Sequence, residues 1–264
     1  MKDDVFIKTV WDFYKKNKRA MPWREDISPY SIFVSEVMLQ QTQVSRVMTK
    51  YTQFLQAFPD FQTLARASTS ALLSTWQGMG YNRRVLYLRS AAQIITERYK
   101  GMLPDDPAIL DELPGIGYAT ACSIVAFTYN KPVVFIETNI RRVYIHHYFS
   151  DAFHIDDKDI FPIVGKTVSK NKSREWYWAL MDYGAYLGKS EDNPNKKSKH
   201  YIKQKKFKGS VREIRGALLK LLLKKAFTSR ELRQLFNEDE RLVTALGQME
   251  KEGLIKKIKG NYTI

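Results

Sequence analysis

The sequence predicts an all-α protein with a small α+β domain at its C-terminal end, and three observations carry that expectation. Apolar residues recur at helical spacing in one segment after another from Val5 to Leu187. The one strand-like run, Val133-Val134-Phe135-Ile136, has no second run to pair with and reads as buried extended chain. Residues 211–264 change rhythm, with three helical segments followed by an alternating hairpin.

The first helix is expected over Val5–Lys18, with Phe6, Val10 and Phe13 at helical spacing, and Pro22-Trp23-Arg24 breaks it. Pro29 opens the next, in which Tyr30, Phe33, Val34, Val37 and Met38 form an apolar stripe. Glu36 falls off that stripe, and the helix ends in the amides Gln40-Gln41-Thr42-Gln43. Further helices are expected at Val44–Phe58, Thr63–Ala67, Ser70–Gln77, Arg83–Lys100, Pro107–Leu113 and Ala119–Thr128. After the extended run come Ile140–Phe149, Ile160–Lys170 and Ser173–Leu187. In the tail, helices at Val211–Lys225, Thr228–Phe236 and Glu238–Glu252 precede a hairpin about Gly260-Asn261. That is winged-helix order, with Arg241, Thr244, Gln248 and Lys251 on the exposed face of the third helix.

The chain has 264 residues, enough to bury a large core without disulfide or metal staples. Its formal net charge is +15, from 43 Lys+Arg against 28 Asp+Glu, which points to a polyanionic partner, nucleic acid before membrane. No apolar run is long enough to span a membrane and the N-terminus has no signal-peptide core, so a cytoplasmic, nucleoid-associated monomer is expected. The one cysteine, Cys122, lies in an apolar run and reads as a small hydrophobe. The four histidines have no metal-ligand spacing, so no metal site is expected. From Gly188 to Lys225 thirteen basic residues face three acidic ones, a local +10. Residues 189–210 therefore read as a basic tether, either solvated or gripping phosphate through Lys203, Lys205, Lys206 and Lys208. It separates a helical domain over 1–188 from the winged helix at 211–264.

Two stretches carry chemistry. In Leu113-Pro114-Gly115-Ile116-Gly117 the glycines permit φ > 0 and remove Cβ, so successive N–H groups can converge on a phosphate. The alternative is an ordinary tight turn between helices. In Ser35-Glu36-Val37-Met38-Leu39-Gln40-Gln41-Thr42-Gln43, Leu39 and the amides can fill the gap left by an extruded base, a step that costs a few kcal/mol. Glu36, one turn earlier, would face such a base, and shielding from water would raise its pKa into the range of a general acid. Glu137 lies just before a helix, whose N-terminal dipole favours an anion, and could stabilise a cationic sugar or simply cap the helix.

Pro22-Trp23-Arg24, Pro29-Tyr30, the Glu36 motif, Gly78-Met79-Gly80-Tyr81, the glycine hairpin, Asn139-Ile140-Arg141-Arg142-Val143 and Met181-Asp182-Tyr183-Gly184-Ala185 resemble, in order, the helix-hairpin-helix DNA glycosylases, specifically the MutY-type adenine glycosylases. The resemblance covers residues 22–188. It implies a two-lobed glycosylase fold, double-stranded DNA with a mispaired or damaged base as partner, and excision of adenine opposite guanine or 8-oxoguanine. By resemblance Glu36 is the acid, Glu137 stands where the family has aspartate, and Tyr118 assists. Trp23, Arg24, Trp178 and Met181 would form the base pocket. Leu39, Gln40, Gln41, Thr42, Tyr81, Asn82, Gly115, Ile116, Gly117 and Asn139 would meet DNA.

The departures are as informative. Ala119 stands where some relatives carry a lysine, so no Schiff-base nucleophile is expected and the enzyme would be monofunctional. Asn82 and Trp178 replace residues that choose the base, which keeps hypoxanthine, uracil or thymine as alternative substrates. Glutamate at 137 keeps a non-catalytic lesion binder as a further alternative. The family's four-cysteine iron–sulfur loop after Ala185 and its domain that senses 8-oxoguanine are not found. A clusterless protein is expected, with at most a monovalent cation on the hairpin carbonyls.

Overall fold

The computed structural model describes residues 2–189, 192–202 and 207–264. It forms two compact units.

The first unit comprises residues 1–36, 103–112 and 116–203. It holds α1 (Lys2–Asn17), α2 (Pro22–Glu25), most of α3 (Pro29–Leu39), α8 (Pro107–Asp111), α9 (Tyr118–Tyr129), α10 (Thr138–Tyr148), α11 (Asp157–Thr167) and α12 (Ser173–Leu187). The expected break at Pro22 is instead a single helical turn: proline at its first position needs no N–H there, and Asp26 N–H closes it on the Pro22 carbonyl. The apolar stripe of α3 proves too narrow a description. Ser31, Ile32 and Ser35 are buried along with Tyr30, Phe33, Val34, Val37 and Met38, and Glu36 alone within residues 30–38 keeps appreciable exposure. The run 133–136 is extended without strand pairing, as expected, with Phe135 in the core.

Glycine sets the packing of α12 on α10. A Cβ at Gly184 would lie 2.3 Å from the Asn139 carbonyl oxygen, so the helices meet only because none is there. Arg142 then donates to the Gly184 carbonyl (2.6 Å) and to Asn139 Oδ1 (2.9 Å). The expected tether is partly docked. Pro194–Lys197 form a 3₁₀ turn, capped by Asn193 and Ser198, in which Pro194 and Asn195 are buried. Asn193 accepts from Arg142 Nε (3.0 Å), Asn195 donates to the Thr138 carbonyl (2.9 Å), and Ser198 bridges Ile155. Backbone polar groups bound for burial need such partners, which is why this piece does not stay solvated.

The second unit comprises residues 37–102, 113–115 and 204–264. It holds the last turn of α3 with α4 (Val44–Ala57), α5 (Phe61–Arg66), α6 (Thr69–Thr75) and α7 (Arg83–Tyr99), around a core that includes Val47, Phe54, Leu64, Leu72 and Trp76. Its C-terminal part runs α13 (Val211–Leu222), β1 (Phe227–Thr228), α14 (Ser229–Leu235), α15 (Arg241–Lys251), β2 (Lys256–Ile258) and β3 (Asn261–Thr263). The hairpin turns on Lys259-Gly260, both at positive φ, rather than on Gly260-Asn261. β1, which periodicity does not reveal in two residues, pairs with β3 and completes a three-stranded antiparallel sheet. On α15, Thr244, Gln248 and Lys251 are exposed as expected, but Arg241 is turned back onto Asp239. Among the described residues no helix is long and apolar enough to cross a membrane.

Candidate functional site

In the first unit two carboxylates come together on separate helices. Glu36 sits in the last stretch of α3 before Leu39. It is half-buried, and its Oε2 is 2.6 Å from the hydroxyl of Ser123 on α9. Burial pushes its pKa up to about 7; the Ser123 hydroxyl and the Arg24 charge oppose that rise, and the neighbouring Glu137 charge adds to it. Glu137 is the N-cap of α10, accepting from the backbone N–H of Asn139 (2.7 Å) and Ile140 (2.8 Å) and from the Asn139 amide (3.2 Å). Burial raises its pKa too, against the pull of those two N–H groups and of Arg142 and Arg141. Capping and proximity to Glu36 are therefore properties of the same side chain. Burial, with a smaller push from the Glu137 charge, lets Glu36 hold a proton near neutral pH.

The Arg24 charge acts on Glu36, and Arg24 lies beside Trp178. Arg24 Nη1 and Nη2 bind both oxygens of Asp182 at 2.8 Å, and Arg19 binds the same carboxylate through its Nε (2.7 Å) and its backbone N–H (3.0 Å). Asp182 is buried, so this bidentate geometry holds Arg24 rigidly. The Arg24 guanidinium lies 5.2 Å from the centroid of the Trp178 ring, and Trp178 and Trp23 are buried while Met181 is half-buried. The structure does not bring Tyr118 into this cluster: it is 52% exposed. Asn139 is half-buried, its amide engaged with Glu137 and Arg142.

In the second unit one residue of each motif meets the other, Gln40 and Gly115. The Gln40 side-chain amide donates to the Gly115 carbonyl at 3.0 Å. Gly115 has φ +77°, and a Cβ there would fall 2.8 Å from Tyr87 Cβ, so glycine is required twice over. The expectation for Gly117 needs correcting: its φ is −95°, an ordinary value that caps α9, and what its missing Cβ provides is open space. Gly115 and Gly117 are exposed, whereas Ile116 is buried and anchors the turn.

The amide loop is built around Arg84. Its Nη1 donates to the carbonyls of Val37 (2.9 Å), Met38 (3.0 Å) and Gln40, and its Nη2 to Thr42 Oγ1 (2.8 Å) and the Gly80 carbonyl (3.3 Å). Burial lowers its pKa to about 10, so it stays charged. Gln41 (φ 52°) and Tyr81 (φ 47°) take left-handed backbone that non-glycine residues seldom adopt, and both are exposed. Leu39, Gln40, Thr42 and Asn82 are half-buried. Lys208 is exposed, and Lys203, Lys205 and Lys206 lie outside the described residues.

Sequence reasoning assigned no role to Ser123, Asp182, Arg84 or Asn195, although Asp182 lies in one of the matching motifs. Signals existed for two of them: Ser123 is a polar residue amid Ala121–Phe127, and Asp182 an acid amid Trp178–Leu187. For Arg84 and Asn195, arginine pairs and lysine-rich loops ordinarily read as surface.

A thiolate-held cluster does not fit this chain. Cys122 is the single cysteine, and the segment after α12 supplies Asn193, Pro194 and Asn195 to α10 instead of ligands. Among the described residues no group of three or more His, Cys, Asp or Glu is placed to hold a metal ion.

Comparison with known proteins points one way. Residues 34–162 match the model of the HhH-GPD superfamily base excision DNA repair proteins. An adenine DNA glycosylase of Buchnera aphidicola subsp. Baizongia pistaciae is 32% identical over 188 residues, covering 69% of this chain and 53% of that protein. A thymine/uracil-DNA glycosylase of Methanothermobacter thermautotrophicus is 25% identical over 190 residues, covering 70% of this chain and 86% of that one. The solved structure of a thermostable thymine-DNA glycosylase superposes with a TM-score of 0.66 at 23% identity, over 74% of this chain and 92% of that chain, a likeness of fold. This chain spans about half the length of the adenine-type relative.

Proposed function

The chain belongs to the helix-hairpin-helix superfamily of base excision DNA repair proteins, and from that premise we propose that it is a monofunctional DNA glycosylase. The substrate we propose is adenine, opposite guanine or 8-oxoguanine, turned out of double-stranded DNA. The observation that carries this reading is Glu36, a half-buried acid whose pKa lies near 7, with a second carboxylate beside it.

The steps follow from the residues. The Glu36 carboxyl hydrogen passes to a ring nitrogen of the extruded adenine. The bond from C1′ to N9 then breaks, and its electron pair leaves with the base. The sugar left behind is an oxocarbenium-like cation, which the Glu137 carboxylate stabilises by charge. Water adds to C1′ and loses a proton, giving an abasic site. Ala119 offers no amine for a covalent sugar adduct, so the strand stays intact. Trp178 supplies a ring for the base to stack on. Leu39, Gln40, Gln41 and Thr42, with Tyr81 and Asn82, fill the vacated stack. Gly115, Ile116 and Gly117 present N–H groups to a backbone phosphate, joined by Lys208 and its neighbouring lysines. The protein acts as a monomer in the cytoplasm and uses no metal cofactor.

A second reading, removal of thymine, uracil or hypoxanthine, is favoured by the aromatic Trp178 in place of a hydrogen-bonding reader and by the thymine/uracil-type relative. A non-catalytic lesion binder is the alternative of another class. One assay separates all three: alkali-developed strand cleavage on a panel of duplexes carrying each candidate base, with Glu36→Gln as control. Adenine release by the wild type and not by Glu36→Gln is expected. Cleavage only at the other bases favours the second reading, and tight binding with no product on any duplex favours the binder.

A further inference from the structure

Ser123 faces two acceptors with one hydrogen. Its Oγ is 2.6 Å from Glu36 Oε2 and 2.9 Å from the Thr120 carbonyl oxygen one turn back on α9. A hydroxyl has a single O–H and two lone pairs, so it cannot donate to both. It is 3% exposed, which leaves little room for water to supply the missing hydrogen.

We infer that Ser123 is a positioning residue for Glu36, a buried hydroxyl that accepts a hydrogen bond from the acid when loaded and donates one to the carboxylate once the proton has gone. The inference rests on the reading of Glu36 as the proton donor. In the loaded state Glu36 Oε2–H points at Ser123 Oγ, and the Ser123 hydrogen rests on the Thr120 carbonyl, so the hydroxyl both donates and accepts. When Glu36 gives its proton to the base, the Ser123 O–H rotates about one torsion and donates to Oε2. A bond to an ionised oxygen is about twice as strong as one between neutral groups, so the rotation is favourable. No bond is broken besides the one to the transferred proton, and no further reactant is needed. A buried partner with a fixed donor, or an alanine, would serve one state or neither.

Glu137 at the cap of α10 and Arg24 on α2 are the charged groups that also face Glu36, and both are retained in a Ser123 variant. The plain alternative is a helical serine bonded to its own backbone at i−3, indifferent to its neighbour, which is common in helix interiors. The two accounts separate on the titration of Glu36.

The test is a ¹³C titration of the free protein labelled at glutamate Cδ, with the Glu36 resonance assigned by its loss in Glu36→Gln. In the wild type the expected midpoint is about 7. In Ser123→Ala the carboxylate loses its donor, so the midpoint should climb by about one unit. At pH 6, where the acid stays loaded in both proteins, single-turnover cleavage should fall about tenfold. Ser123→Thr, which keeps a hydroxyl, should return both toward wild type. A midpoint in a folded Ser123→Ala unchanged from wild type overturns the inference. If the midpoint shifts but the wild type cuts no duplex, the coupling of Ser123 to Glu36 stands and the glycosylase reading fails instead.

Discussion

Each unit buries charge, and each does so for a different end. In the first, the charges are acids whose ionisation is held in balance: Glu36 and Glu137 are raised by burial and moderated by Ser123, two backbone N–H groups and the arginines Arg24, Arg141 and Arg142. In the second, the buried charge is Arg84, spread over four carbonyls and a hydroxyl, and it remains a cation throughout the physiological range. Proton transfer requires groups close to the point of changing state. Holding an exposed loop in strained backbone requires a group that never changes. Acids make the first kind of site, and a guanidinium with five fixed donors makes the second.

If that contrast is right, substitutions should separate into effects on charge balance and effects on shape. The largest expected loss is in the ion network behind the acids. Asp182→Asn leaves the buried Arg24 without its carboxylate, and urea unfolding should show a loss of about 3–5 kcal/mol. A loss under about 1 kcal/mol would mean the network is not what holds Arg24. Glu137→Gln keeps an oxygen that can cap α10 and removes only the charge. Stability should hardly move, while single-turnover cleavage should fall on the order of 10²–10³-fold. Equal losses in stability and rate would make Glu137 a cap and nothing more.

In the second unit, Arg84→Met strands the carbonyls of Val37, Met38 and Gln40, at about 2–4 kcal/mol of stability. Base extrusion, followed by 2-aminopurine fluorescence, should weaken in that variant while the Glu36 titration stays in place. A shifted titration would break the division of labour. The smallest effect expected is that of Gly115→Ala, about 1–2 kcal/mol from forcing a side chain to φ +77° against Tyr87. Duplex affinity should drop with it, read by fluorescence anisotropy at fixed salt, and an unchanged affinity would remove the hairpin from the DNA interface.

Most of this architecture was legible from periodicity. α3, α7, α9 and α12 carry long apolar repeats, and the Glu36 and hairpin motifs name themselves by composition. What stayed hidden is local or distant. α2 and β1 are too short to show a period, and the Lys259-Gly260 turn competes with the equally plausible Gly260-Asn261. Ser123 meets Glu36 across 87 residues of sequence, and Asp182 meets Arg24 across 158. Such pairs exist only after α9 has met α3 and α12 has met α2, and no propensity encodes them. Asn195 was obscured by the lysines around it, because a basic run ordinarily stays in water.

The raised acid should leave a thermodynamic mark beside the catalytic one proposed for it. The folded pKa of Glu36 lies above its unfolded value of 4.5, so its contribution to stability is full below about 4.5 and is lost as pH climbs through about 7. Over that same interval the acid passes from loaded to spent. The most direct measurement is therefore the single-turnover rate of adenine release from pH 5 to 9, for the wild type and for Glu36→Gln. The expected wild-type profile turns down at about pH 7 and falls about tenfold per unit beyond it, and the Glu36→Gln profile is far lower and lacks that limb. A wild-type rate that stays level to pH 9, or a limb of the same midpoint in Glu36→Gln, would contradict the assignment of Glu36 as the proton donor.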